Sequence, residues 1–141
     1  MVMKRVIYSI YIDVPAKEHY GDSKHRQDTT KKASITVNAF KEHYKRLIES
    51  KRNYANSIGA TFMMFEYDLR YQSFEQKLLK ICPELTGYEI VNFYKIHLLC
   101  ELAKEYDEIL YLDFDAVPVT KDSFFDAWDL SKGICVYNNN A

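Results

Sequence analysis

The chain has 141 residues, of which 48% are hydrophobic and 28% are charged, which is typical of one globular domain with its own core. Its formal net charge is −1 and no basic block dominates, which argues against nucleic acid as a partner. The three cysteines are widely separated, without a CxxC pair, and no apolar run is long enough to span a membrane. We therefore expect a single cytoplasmic domain over residues 1–141, without a membrane span.

The first element predicted along the chain is a β-strand. The stretch "RVIYSIYID" is rich in β-branched and aromatic residues, and it predicts a strand over residues 4–13 that Pro15 ends. Residues 15–33 are polar and charged, and their apolar residues show neither helical nor strand periodicity. A loop of that length is usually either disordered or a functional lid, and both interpretations stay open.

The next segment has apolar residues at helical spacing from Val37 to Ile58. Ser34 or Thr36 is suited to cap the start of this helix, and Gly59 stands where a left-handed residue would end it. The stretch "ATFMMFEY" then predicts a central strand that ends at Asp68.

The remaining elements complete an alternating pattern of strands and helices. We predict a short helix over 72–81, a long helix over 89–105, a strand over 107–113, a helical turn over 121–130 and a fourth strand, "GICVYN", over 133–138. This order predicts an α/β fold, with a Rossmann-like, mostly parallel sheet and helices on both faces.

Three acidic residues follow predicted strands directly: Asp13, Asp68 and Asp113. In open parallel sheets, ligands bind beyond the carboxyl ends of the strands, where the strand order reverses. Because the carboxyl ends of parallel strands lie at one edge, we expect these three carboxylates to share that edge.

Asp113 and Asp115 form a D-x-D pair in "YLDFDAVPV", directly after an apolar strand. Side chains at positions i and i+2 of an extended chain point to one side, and two carboxylates there repel each other unless a cation joins them. Their hard oxygen atoms suit Mg²⁺ or Mn²⁺. The alternative is a pair of solvated or helix-capping carboxylates.

Lys95 emerges from an apolar stripe of its helix that includes Val91, Leu98 and Leu102. A lysine in that position either extends its ammonium group into solvent or meets an anion. A diphosphate held by a metal ion at the D-x-D pair would account for both unusual features. At the end of the first strand, Tyr11 and Asp13 either contact a nucleoside or form a hydrogen-bonded core pair.

The stretch "YDEILYLDFDAVP", preceded by "NFYKIHLLCELAKE", resembles the D-x-D region of GT-A-type glycosyltransferases. Those enzymes typically carry a basic residue on the helix before the motif, then a hydrophobic strand, then D-x-D. The similarity covers the whole chain in layout, but it is specific only over residues 88–119. The chain is also similar to small glycosyltransferases encoded by phages and large viruses, which would place it in the host cytoplasm.

The resemblance implies a donor site for a nucleoside-diphosphate sugar, with a UDP-sugar favoured, and transfer of the sugar to a glycan or other acceptor. By position, Asp115 would bind Mn²⁺ or Mg²⁺ directly. Asp113 would contact both the metal and the donor ribose, Lys95 would reach the diphosphate or the donor sugar, and the region from Tyr11 to Asp13 would hold the base. Activity is then expected to depend on the metal.

GT-A enzymes usually continue well past D-x-D, whereas only residues 116–141 follow it in this sequence. We therefore expect mainly the donor-nucleotide-binding half of such a domain, with the acceptor part short or missing and no catalytic base assigned. Association with a second copy of the chain, as a homo-oligomer, is left open.

Two other functions remain open. One is a non-catalytic module, or remnant of a transferase, that binds a nucleotide sugar without turning it over. The other is a haloacid-dehalogenase-like phosphatase, because "DFDAV" also matches the nucleophile motif of that family. In that fold the motif follows the first strand, whereas here it follows the third. The sequence contains no GxGxxG, Walker-type or GxSxG motif, which argues against dinucleotide-fingerprint and P-loop enzymes.

Overall fold

The computed structural model of the chain describes residues 2–13 and 26–136. Within these ranges it contains three β-strands, four α-helices and one short 3₁₀ helix. In chain order they are β1 (Arg5–Tyr11), α1 (Arg26–Glu42), α2 (Tyr44–Ser57), β2 (Thr61–Glu66), α3 (Leu69–Ile81), α4 (Gly87–Leu102), β3 (Glu108–Tyr111) and the 3₁₀ helix Leu130–Lys132.

The three strands form one parallel sheet in the order β2-β1-β3. In the register, Tyr8 lies opposite both Met63 of β2 and Tyr111 of β3. The carboxyl ends of all three strands therefore lie at one edge of the sheet, which we call the carboxyl edge. This arrangement confirms the predicted α/β class and the parallel pairing.

The alternation of side chains along β1 divides the core between the two faces of the sheet. Val6, Tyr8 and Ile10 face α3 and α4 and pack with Tyr94 and other buried residues of these helices. Ile7 faces the opposite side and packs with residues of α2. The helices that follow β1 and β2 thus lie on opposite faces of the sheet. The connections that leave these two strands at the carboxyl edge therefore run to opposite faces, and α/β sheets bind ligands at such a position.

Local signals in the sequence explain where several helices begin and end. Thr86 and Glu89 form a capping box at the start of α4, and Asp68 caps α3 by accepting a hydrogen bond from the Tyr71 amide at 2.9 Å. Gly59, at φ 71°, ends α2 as predicted. The amide of Ala60 there donates to the carbonyl of Ala55, as in a Schellman motif.

The structure corrects three of the predicted elements. Residues 26–33, predicted as loop, belong to α1, so neither Ser34 nor Thr36 caps that helix. The predicted long helix is two helices that meet at His43. Residues 133–136, predicted as the start of a fourth strand, pair with no other strand among the residues described.

Parts of two predictions lie outside the described residues: the loop-or-lid segment over 15–25, and residues 137–138 of the fourth strand. Across residues 2–13 and 26–136, no helix has both the length and the apolarity needed to cross a bilayer.

Candidate functional site

Lys95 projects from α4 towards the segment that follows β3. Its ammonium nitrogen lies 3.5 Å from a carboxylate oxygen of Asp113 and 4.5 Å from the ring centroid of Tyr111. Buried residues of α4 on the same side, Leu98 among them, pack on the sheet. The lysine therefore meets an anion, which is one of the two outcomes that its position in the sequence predicts.

A hydrogen bond fixes the point at which Lys95 leaves its helix. The hydroxyl of Tyr8, which is almost fully buried in β1, donates to the backbone carbonyl of Lys95 at 2.8 Å. The ring of Tyr8 also packs against that of Tyr111, with centroids 5.1 Å apart. The central strand thus holds α4 in register with the end of β3, where the D-x-D pair begins.

The D-x-D pair lies on a tight turn directly after β3. The Ala116 amide donates to the Asp113 carbonyl at 2.9 Å, which closes the turn. Phe114 is only 4% exposed, whereas the aspartates on either side of it are exposed. The buried ring therefore anchors the turn, and Asp113 and Asp115 are both exposed. The expected extended segment with both side chains on one side is not formed, because the strand ends at Tyr111 and the pair lies on a turn. Asp113 contacts α4, whereas Asp115 borders a cavity beside α1 and α2.

Four aromatic rings pack together at the carboxyl edge, and we call them the aromatic cluster: Tyr11, Phe40, Tyr44 and Phe114. The ring of Tyr11 lies 4.6 Å from that of Phe114, 5.3 Å from that of Tyr44 and 6.5 Å from that of Phe40. Burial raises the pKa of Tyr11, and the charge of Asp13 acts in the same direction. The cluster joins the end of β1 to the D-x-D turn and to α1 and α2.

Three other carboxylates at the carboxyl edge already have partners. Asp13 pairs with Lys41 of α1 at 3.1 Å. Glu66, at the end of β2, accepts a hydrogen bond from the Tyr44 hydroxyl. Asp68 caps α3 and is thus used for the fold. The edge is acidic as expected. Asp13 and Asp68 are exposed, as the D-x-D pair is, but each already has the partner named above.

Lys51 of α2 lies beneath the D-x-D turn and is 0% exposed. Its ammonium group donates to the backbone carbonyl of Phe114 at 2.5 Å and to that of Leu47 at 3.0 Å. Burial lowers the pKa of Lys51 to about 8, although the negative charges of Asp115 and Asp113 act in the opposite direction. A buried cation therefore contacts the backbone between the two predicted metal ligands.

The sequence prediction missed Lys51, although a signal for it was present. In the helical pattern, Lys51 follows Leu47 by four residues and precedes Tyr54 and Ala55 by three and four residues. These spacings place the lysine on the apolar face of α2. A lysine on an apolar helix face needs either solvent or a polar partner, as was argued for Lys95. In Lys51 this pattern corresponds to a buried ammonium group with backbone partners.

A cavity of about 470 Å³ lies beside the D-x-D turn, between α1, α2 and the residues after β3. Its walls are largely apolar, and they include Ala39, Phe40 and Val117. Asp115 borders the cavity, which brings one carboxylate of the pair to its edge. The volume is within the range of small-molecule sites.

The oxygen donors of the D-x-D pair fit the predicted divalent cation in type, because Mg²⁺ and Mn²⁺ prefer carboxylate oxygens. Over the described ranges, no cluster of three or more His, Cys, Asp or Glu side chains is placed to hold a metal ion. The two aspartates would therefore need additional oxygen ligands, from water or from a substrate. A diphosphate supplies such oxygens. Lys95 lies close enough to Asp113 to contact a diphosphate held there as well.

Comparisons with protein-family models, with curated proteins and with solved structures find no match for this chain. The candidate site is therefore defined by its own geometry. The structure brings together Lys95, Asp113, Tyr11 and Asp13 at the carboxyl edge, with Asp115 on the same turn as Asp113.

Proposed function

We propose that the protein is a metal-dependent glycosyltransferase of the GT-A type that takes a nucleoside-diphosphate sugar, with a UDP-sugar favoured, as donor. One observation carries this proposal. An exposed D-x-D pair follows the third strand of a parallel sheet, and a lysine from the preceding helix lies 3.5 Å from its first carboxylate. This arrangement supplies both oxygen ligands for a divalent cation and a positive charge for a diphosphate.

In the proposed reaction, the bond between the anomeric carbon of the sugar and the diphosphate oxygen breaks, and the nucleoside diphosphate leaves with the electron pair. The oxygen of an acceptor hydroxyl forms the new bond to that carbon, and its proton is released. Negative charge builds on the departing diphosphate, and the ammonium group of Lys95 is placed to stabilise it.

Asp113 and Asp115 would hold Mn²⁺ or Mg²⁺, which supplies electrostatic stabilisation of the leaving diphosphate. Two carboxylates beside the ammonium groups of Lys51 and Lys95 are already partly compensated. We therefore expect the cation to bind tightly only together with the diphosphate, because the substrate supplies both the missing ligands and further negative charge.

The remaining parts of the donor and the acceptor are assigned by position. The nucleobase of the donor is assigned to the end of β1, where Tyr11 is part of the aromatic cluster and Asp13 pairs with Lys41. The acceptor is assigned to the cavity beside Asp115, because an acceptor hydroxyl must approach the donor sugar next to the diphosphate.

A thermal-shift panel tests the donor site. Wild type is measured with UDP, GDP, CDP and dTDP, each with Mn²⁺ and with EDTA, and with Mn²⁺ alone. A ligand at a hundred times its dissociation constant stabilises a protein by about 2.7 kcal/mol, which moves the midpoint by several degrees. We expect one nucleotide, UDP first, to give this shift together with Mn²⁺, and neither component to give it alone.

Asp115→Ala should abolish the joint shift. The matched control is Asp122→Ala, which removes an exposed carboxylate from the same segment. It should respond to nucleotide and metal as wild type does. If no nucleotide shifts the wild-type midpoint in the presence of Mn²⁺, the proposed donor site is wrong.

A non-catalytic nucleotide-sugar-binding module is the second candidate, and one observation favours it. Asp13, Glu66 and Asp68 at the carboxyl edge are each engaged by another group, so none of these three is free to act as a base. Release of UDP from UDP-sugars in the presence of Mn²⁺ separates the two functions. A transferase releases UDP with a suitable acceptor, whereas a binding module retains the intact donor.

A further inference from the structure

We propose that Lys51 is a positioning residue for the donor site, holding the D-x-D turn by its central backbone carbonyl so that both carboxylates face the bound cation and diphosphate. This inference rests on the proposed function, since it concerns the same site. Lys51 itself is fully buried and does not reach the substrate.

The geometry of the turn is the first argument. The Lys51 ammonium donates to the carbonyl of Phe114, which is the residue between the two aspartates. A hydrogen bond at that point restrains the peptide unit between Phe114 and Asp115, and thereby the backbone of the turn from which the two carboxylates project. Groups that support metal ligands in this way typically change the affinity for the metal by 10- to 100-fold when they are removed.

The second argument is the position of Lys51 on its own helix. One turn further along α2, the Tyr54 hydroxyl donates to the Asp122 carbonyl at 2.7 Å and accepts from the Phe124 amide at 3.0 Å. The helix thus holds the segment after β3 at two places. The contact of Lys51 is at the D-x-D turn, whereas the contact of Tyr54 lies beyond it.

The third argument is that a buried ammonium group is an unusual choice for a merely structural contact. Burying a cation costs free energy unless it is well paired, and an apolar residue would fill this part of the core more favourably. Lys51 has two carbonyl partners and lies near two carboxylates, whose charges raise its pKa against the effect of burial. Its charge is thus placed where it also reduces the repulsion between Asp113 and Asp115.

Lys51→Met tests the inference, because methionine approximates the length of the side chain but lacks its charge and donors. We expect the affinity for Mn²⁺, measured with UDP present, to fall at least about tenfold. Two matched variants serve as controls. Lys45→Met makes the same change at an exposed position of α2, and Tyr54→Phe removes the contact beyond the turn. Both should keep the affinity within about twofold of wild type.

Lys51→Arg keeps the charge and the donors, and it should restore most of the affinity that Lys51→Met loses. A purely structural lysine would give a different pattern, with a lower thermal midpoint in Lys51→Met and an unchanged affinity for Mn²⁺ with UDP. That result would overturn the inference. If wild type itself binds no nucleotide with metal, the proposed function fails instead, so the two failures are distinguishable.

A measurement on wild type keeps the inference testable if Lys51→Met does not fold. With lysine labelled by ¹⁵N at the side-chain nitrogen, the signal of Lys51 is identified by its absence from the Lys51→Arg spectrum. Addition of Mg²⁺ with UDP should shift this signal, and it should leave that of Lys45 in place. A Lys51 signal that does not move would show that the lysine does not sense the site, and the inference would be wrong.

Discussion

The ammonium group of Lys95 and the carboxylate of Asp113 lie 3.5 Å apart, and this pair joins α4 to the turn after β3. The Asp113 side chain is 66% exposed and that of Lys95 is 31% exposed. Such a solvent-accessible pair contributes at most about 1 kcal/mol to stability. Its value to the protein therefore lies in the charge that it places at the carboxyl edge, and the loss of that charge should be visible in binding before it is visible in folding.

Lys95→Met should weaken the joint binding of UDP and Mn²⁺ about tenfold, which corresponds to about 1.4 kcal/mol, because a charge-assisted contact to the diphosphate is lost. The unfolding free energy should change by less than about 1 kcal/mol. Isothermal titration calorimetry and urea unfolding measure the two quantities. Lys104→Met is the control, since it breaks a comparable exposed pair with Glu101 away from the D-x-D turn. Equal affinities in the two variants would contradict the role of Lys95.

The sequence was sufficient to predict the three parallel strands, because they are short apolar runs, but it predicted neither their order nor the absence of pairing at residues 133–136. It also gave the end of α2, since Gly59 supplies a left-handed residue where the helix must stop. The prediction was wrong for residues 26–33, which are polar and without an apolar stripe but nevertheless belong to α1. A helix of that composition cannot be recognised from hydrophobic spacing.

The site was predictable to the extent that it follows from the ends of the strands. Asp113 and Lys95 are distant in sequence and were paired only by a chemical argument, and the structure places them in contact. The hydrogen bond from Lys51 to the Phe114 carbonyl joins residues 63 positions apart. Hydrophobic spacing alone does not identify such a partner, because it depends on how α2 crosses the sheet.

The cavity beside Asp115 gives a prediction about the acceptor. Ala39→Trp adds a large side chain to a cavity of about 470 Å³ and should obstruct it. The KM for the acceptor should rise at least about tenfold, whereas the affinity for UDP with Mn²⁺ should stay within about twofold, because the diphosphate contacts are retained. Ala39→Ser, which hardly changes the volume, is the control. If the donor affinity falls with the acceptor KM unchanged, the cavity belongs to the donor.

The hydrogen bond between Tyr44 and Glu66 gives a prediction about stability. It connects the start of α2 to the end of β2, and it contributes to raising the pKa of Tyr44 to about 12. Tyr44→Phe should lower the unfolding free energy by about 2 kcal/mol, as is typical of a hydrogen bond to a charged group. Urea unfolding of Tyr44→Phe, Glu66→Gln and the double variant measures the coupling between the two residues. Additive effects of the two changes would show that the bond contributes nothing.

The raised tyrosine pKa values predict a loss of stability in alkali. Burial raises the pKa of Tyr94 to about 12, the hydrogen bond to Glu66 does the same for Tyr44, and both values exceed the ordinary value of 10.0. Because the folded state holds these protons more tightly, their contribution is complete below pH 10 and is lost as the pH rises towards 12. Each such group should reduce the unfolding free energy by at most about 1 kcal/mol per pH unit in that window, and the partly exposed Tyr44 by less than the buried Tyr94. Lys51 has a lowered pKa and acts in the opposite direction, mainly between pH 8 and 10.5, so its contribution fades above pH 10.5, and the comparison with Tyr44→Phe assigns the decrease. Urea unfolding at pH 10.5, 11 and 11.5 should show the decrease, and Tyr44→Phe should show a shallower one; a slope equal to that of wild type would contradict the assignment to Tyr44.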